Sequence, residues 1–166
     1  MLSKPIHVLF LCTHNSARSI LAEALLNHLG QGLFKAFSAG SFPSGRVNPH
    51  ALSTLAARQI DTADLQSQSW DAFSGSDAPI MDIVITVCDN AAGEVCPIWP
   101  GHPLTAHWGF ADPSAADGDD EAKRRAFAQT ADLITARLQR LIALPIAALS
   151  SADFAVALRA LGNESP

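Results

Sequence analysis

Tyrosine is absent from the 166 residues, and cysteine is held to three. Three cysteines make no disulfide framework. In a reducing compartment they read as reactive or buried thiols. Cationic side chains are scarce as well, 11 Lys and Arg against 16 Asp and Glu, for a formal charge of −5. That balance excludes a general nucleic-acid binder, which needs basic surface to neutralise phosphates. It leaves room for one local positive pocket. Apolar runs such as Ile6–Cys12 are far too short to span a bilayer. The start, Met1-Leu2-Ser3-Lys4-Pro5, lacks the apolar stretch of a signal peptide. The expectation is therefore a cytoplasmic protein with no membrane or nucleic-acid partner. What the chain does have is 48% hydrophobic and 16% charged residues, enough to bury a core within one domain.

Strand and helix patterns alternate. His7–Leu11 is a short apolar run behind Pro5 and predicts a buried strand. Ile20, Leu21, Ala24, Leu25 and Leu29 recur at helical spacing until Gly30 and Gly32. A second strand is expected over Phe34–Ser38, a helix over about Pro49–Gln59, and a turn at Asp71–Phe73. Met81–Val87 is rich in β-branched residues and gives the clearest strand signal. Asp89–Gly109 reads as loop, with a short strand near Thr105–Trp108. From Glu121 to about Leu144, Phe127, Ala131, Ile134, Leu138 and Leu141 form one helical stripe, closed by Pro145. A final short helix is expected over Ser151–Leu161. Such alternation predicts an α/β fold of three layers, a four-stranded parallel sheet with helices on both faces. The expected division is a main domain over 1–145 and a C-terminal extension over 146–166. Ligands of such sheets gather beyond the carboxyl ends of the strands.

The loop after the first strand reads Cys12-Thr13-His14-Asn15-Ser16-Ala17-Arg18-Ser19. A thiol ends a buried strand, a helix begins just beyond it, and an arginine falls on the same turn. A helix N-terminus offers unpaired N–H groups and partial positive charge, which attract oxyanions. The same field favours the thiolate, the nucleophilic form of cysteine. Arg18 adds a planar cationic fork suited to a tetrahedral oxyanion. Ser19 is placed to steady the thiolate and Asn15 to hold the loop open through backbone bonds. The plainer alternative is a buried Cys12 and a surface Arg18; the convergence of Cys, Asn, Arg and Ser on one turn argues against it. A parallel sheet also lets Cys88, at the end of the Met81–Val87 strand, approach Cys12. Cys96 follows across a polar loop containing Gly93.

Cys12-x5-Arg18-Ser19 after the first strand resembles the signature of the low-molecular-weight protein tyrosine phosphatase superfamily, over about Ile6 to Leu144. Two branches share that fold, phosphotyrosine phosphatases and arsenate reductases. Phosphatases of the family follow an Asp-Pro pair with aromatics, usually Tyr, that wall the substrate's phenyl ring. Here Asp112-Pro113 is followed by Ser114-Ala115-Ala116. His107-Trp108-Gly109-Phe110-Ala111-Asp112-Pro113 is instead similar to the arsenate reductases, with Asp112 implied as general acid. Cys88 and Cys96 resemble the redox pair of the thioredoxin-coupled members. The resemblance implies arsenate reduction through a Cys12/Cys88/Cys96 relay, with residues 13–19 binding the oxyanion. It implies no bound cofactor and an external reductant, thioredoxin or else glutathione and glutaredoxin. A phosphotyrosine phosphatase is the alternative, and weak phosphatase activity is compatible with either.

Two departures stand out. His14 replaces the glycine of many relatives, and Ala17 a cysteine found in some. Some relatives bind potassium beside the loop; Asn15, Glu23 and Ser38 match three ligands, but Trp70 stands near the fourth, so no metal is expected. A zinc module built on Cys88, Cys96, His102 and His107 has looser spacing than structural zinc sites favour. A non-catalytic oxyanion sensor would leave thiol, arginine and acid without a task. His7, His28 and His50 read as ordinary surface or partly buried residues, Trp99 and Trp108 as core, and the chain as a monomer.

Overall fold

A computed structural model describes residues 4–75, 77–88 and 101–163. Strands β1 (Ile6–Leu11), β2 (Phe34–Ala39), β3 (Ile83–Thr86) and β4 (Leu104–His107) form one parallel sheet in the order β2-β1-β3-β4. Helices α1 (Arg18–Leu29), α2 (Pro49–Ala57), α3 (Asp120–Ala143) and α4 (Ser151–Gly162) accompany it, so the α/β architecture expected from the alternation is the one observed. β3 is shorter than the apolar run suggests, and β4 begins one residue earlier. The loop expected over Asp89–Gly109 lies for the most part outside the described residues.

Successive residues of a strand face opposite ways, and β1 divides its side chains between two cores. Val8 and Phe10 join Ile83, Ile85 and the apolar faces of α1, α2, α3 and α4. Leu9 and Leu11 join Ala39, Met81, Val84 and Phe73, the last from a 3-10 helix at Trp70–Phe73 that covers the other face. The stripe expected on α3 is buried as a unit, with Phe127, Ala131, Ile134, Leu138 and Leu141 all at 1% exposure or less. A β1 buried on both faces fixes the height at which it ends, and Cys12 is its next residue.

Beyond Pro145, α4 packs back on β4. Trp108 Nε1 donates to Leu158 O at 3.0 Å, and Arg159 Nε donates to Thr105 O at 3.1 Å. At Gly162 a Cβ would lie 2.2 Å from His107 O, so only glycine allows this approach. Trp108 is core, as its sequence context suggests; Trp99 lies outside the described residues. Among the described residues no helix is long and apolar enough to cross a membrane.

Candidate active site

β1 and β3 are paired with Leu11 opposite Thr86, and Val87 N donates to Leu11 O at 2.9 Å. The register sets the ends of the two strands side by side and brings their thiols together. Cys12 and Cys88 are both buried free thiols in hydrogen-bond contact with each other. Thr13 N also donates to Cys88 Sγ at 3.3 Å. That hydrogen bond between the thiols, and then burial, push the Cys12 pKa upward, while the Arg18 guanidinium pulls it down.

The loop from Thr13 to Ala17 is held by its carbonyls. Thr13 O accepts from Phe42 N (2.9 Å), His14 O from Ser44 N (3.0 Å) and Ser67 Oγ (3.1 Å), and Ser16 O from Asn48 N (2.9 Å). In a planar trans peptide the N–H opposes the C=O. Anchoring those carbonyls therefore turns the N–H groups of His14, Asn15 and Ala17 away from the segments that hold the loop. Gly40 at the end of β2 makes room: a Cβ there would stand 2.4 Å from Thr13 O.

Asn15 is fully buried and carries the left-handed φ of 48° that the turn requires. Its Nδ2 donates to Ser19 Oγ (2.8 Å) and Ser38 Oγ (2.9 Å), and its Oδ1 accepts from Gln68 N (2.8 Å). Asn15 does hold the loop, mainly through side-chain partners rather than the backbone bonds anticipated for it. Ser19 Oγ serves the same frame. Ser38 Oγ in turn donates to Glu23, whose carboxyl is pushed up to about 7 by burial, the Ser38 bond opposing. Asn15, Ser38 and Glu23 are thus one another's partners, and a potassium ion among them would face the Asn15 amide NH2 group. Gln68 had no signal in the sequence. It reaches the loop from 53 residues away, through a bridge between Gly40 and Ser69.

Arg18 opens α1. The N-cap is Ala17, which makes no side-chain cap bond, and the first turn holds no acid. Across from it, the stretch after β4 returns over the loop. Trp108 N donates to Thr86 O (2.8 Å) and Phe110 N to Val87 O (3.2 Å), which extends the pairing with β3. Arg18 Nη1 donates to Phe110 O at 3.0 Å, and Arg18 Nη2 lies 3.6 Å from Asp112 Oδ2. Asp112 caps the short 3-10 helix Pro113–Ala115; its Oδ1 accepts from Ser114 N and Oγ. That bond leaves Oδ2 to Arg18, and the Asp112 side chain as a whole is 37% exposed to solvent.

Of the residues singled out in the sequence, Cys12 through Ser19 share one turn, and Cys88 and Asp112 are brought to it. Cys96 lies outside the described residues. His102 precedes β4 while Cys88 follows β3, so the parallel sheet holds these two at opposite ends. His50 is partly buried, its ring 5.4 Å from that of Phe127. Phe110 was read only as part of a motif; its carbonyl is what Arg18 grips.

A chain whose thiol, arginine and acid meet at the carboxyl edge of a parallel sheet has the layout of a cysteine-based oxyanion enzyme. Residues 7–152 match the low molecular weight phosphotyrosine protein phosphatase family, and the chain belongs to that family. It is 38% identical over 134 residues to the arsenate reductase of Bacillus licheniformis, covering 80% of this chain and 92% of that protein. The structure resembles that of the Archaeoglobus fulgidus arsenate reductase, with a TM-score of 0.59 and 30% identity over 80% of this chain and 98% of that one. It also resembles the thioredoxin-dependent arsenate reductase of Corynebacterium glutamicum, with a TM-score of 0.53 and 27% identity over 83% of this chain and 64% of that one. Within the family the chain stands with the arsenate reductases.

Proposed function

We propose that this chain reduces arsenate to arsenite by a relay of Cys12, Cys88 and Cys96, without a bound redox cofactor. The observation that carries the proposal is the direct contact of two buried, unoxidised thiols, Cys12 and Cys88, beside Arg18. A phosphatase needs one nucleophilic thiol; a second, held against the first, serves electron transfer.

Arsenate is drawn to the Arg18 fork, the N–H groups of residues 13–19 and the uncapped end of α1. Cys12 loses its proton to the basic arsenate oxygens that arrive there. Its thiolate attacks arsenic, and Asp112 protonates the hydroxyl that departs as water. A Cys12–arsenic(V) adduct results. The Cys88 thiolate then attacks Cys12 Sγ; the sulfur–arsenic bond breaks, and its electron pair stays on arsenic, which leaves as arsenite. Two thiols have been oxidised to a Cys12–Cys88 disulfide and arsenic has gained two electrons. Cys96 attacks Cys88 Sγ, frees Cys12 and leaves a Cys88–Cys96 disulfide for an external dithiol. Thioredoxin is that dithiol, working in the cytoplasm on a monomer. In this reading residues 1–145 carry the chemistry, and the extension after Pro145 adds a brace through its helix Ser151–Gly162.

The test is arsenate-dependent NADPH consumption with thioredoxin and thioredoxin reductase. Cys12→Ser, Cys88→Ser and Cys96→Ser are each expected to abolish multiple turnover. Full activity in Cys96→Ser would remove the third thiol from the relay and favour glutaredoxin. A wild type inert to arsenate that hydrolyses a phosphotyrosine mimic through Cys12 would make it a phosphatase.

A further inference from the structure

Arg137 lies on α3, outside the loop that carries the thiols, yet its side chain is buried at 6% exposure. Burying a guanidinium is costly, so its surroundings must compensate it. The guanidinium carbon stands 4.8 Å from the centroid of the Phe110 ring, a cation–π contact, and Phe110 is itself 7% exposed. A contact of this kind strengthens when both partners are shielded from water.

Phe110 is more than core. Its carbonyl accepts from Arg18 Nη1, and its N–H donates to Val87 O, one residue before Cys88. Among the described residues, the Phe110 carbonyl is the hydrogen-bond acceptor of the Arg18 guanidinium. Arg18 Nε is buried without a partner, and Asp112 stands off at 3.6 Å. The direction of the Arg18 fork therefore depends on where Phe110 sits. The backbone of Phe110 is tied to β3 on one side, and its ring is fixed by Arg137 on the other.

We propose that Arg137 is a positioning residue for Arg18, acting through the Phe110 ring, so that the anion-binding fork stays aimed over Cys12. The inference rests on the reading of this loop as an oxyanion site, and it needs neither the relay nor a particular reductant. A guanidinium bound by a single carbonyl can swing about that bond. Clamping the residue that owns the carbonyl limits the swing and lowers the ordering cost when the anion arrives. Two cations thus converge on one phenylalanine, Arg137 on its face and Arg18 on its carbonyl. The first is hidden and positions the second, which is presented to substrate.

The test measures anion binding directly, by protection of Cys12 from iodoacetamide with inorganic phosphate, alongside the melting temperature of each variant. Arg137→Met and Phe110→Leu, which keeps the backbone carbonyl, are each expected to raise the half-protecting phosphate concentration about tenfold. The double variant is expected to do no worse than the weaker single one, because both cut the same link. Arg137→Lys restores a cation over the ring and is expected within about threefold of wild type. A purely structural Arg137 would lower the melting temperature and leave phosphate protection unchanged in the folded protein. That result, or additive losses in the double variant, overturns the proposal. If Arg137→Met does not fold, Phe110→Leu and Arg137→Lys still decide: unchanged protection in Phe110→Leu overturns it. Phosphate that fails to protect wild-type Cys12 would instead remove the oxyanion site itself. Failure of arsenate turnover alone, with protection intact, would count against the relay and leave this inference standing.

Discussion

The N-termini of α1 and α3 make opposite use of the same backbone groups. α3 is capped by Asp119, whose side chain accepts from Ala122 N at 2.9 Å, and Asp120 and Glu121 follow in its first turn. Every exposed dipole there is answered by the protein's own charge. α1 begins at Ala17 with no cap bond and no acid, and its first residue is a cation. The chain has supplied acids freely elsewhere, so their absence at α1 matters. One helix end is finished by the protein's own side chains, and the other has no such side chain, as the proposed function requires. The acidic side chain that α1 does carry, Glu23, lies beyond its first turn, partly buried and directed to Ser38.

The contrast can be broken at either helix. Arg18→Lys keeps the charge and loses the planar fork, and arsenate turnover should fall about 10²–10³-fold while the urea midpoint holds. A loss below threefold would mean that charge alone suffices at α1.

Glu23 sharpens the comparison from within α1. Its pKa rises on folding from 4.5 to about 7, so between those values the folded state holds a proton that the unfolded state has released. Stability should therefore fall as pH rises through that window and level off above it. The span is on the order of 1–3 kcal/mol. His28, Asp61 and Asp64 line the same cavity and share its field. Glu23→Gln should flatten the wild-type slope in urea titrations taken from pH 4.5 to 8. Parallel curves would mean that Glu23 does not carry the slope.

The smallest effect belongs to α3. Asp119→Ala should cost about 1 kcal/mol of stability and leave arsenate kinetics unchanged. A change in KM would tie the α3 cap to the site.

Much of this was readable beforehand because it is local. A strand, a thiol, a turn and a helix follow one another within residues 6–29, and each carries its own signal in spacing or residue type. Asp112 was legible for the same reason, as part of a short motif. What escaped depends on contacts across the fold. Arg137 stands three residues after Ile134 and four before Leu141, on the flank of the buried stripe, but a guanidinium at that spacing ordinarily reaches out to water, and only the fold shows that this one stays inside. Gln68 joins the Asn15 frame only because β2 ends beside it. The paired thiols were anticipated from strand adjacency, but the upward push on the Cys12 pKa comes from their hydrogen bond and then from burial, neither of which a linear pattern reports.

The packing of α4 against Trp108 has a consequence for the order in which the molecule is made. Leu158, Arg159 and Gly162 meet residues 105–108, so the tryptophan that leads into the Phe110–Asp112 segment reaches its seat only after they have left the ribosome. Cys12 and its loop are synthesised first and can close early. The Asp112 segment that faces them is set only when the helix downstream has arrived, so the two halves of the site are completed one after the other.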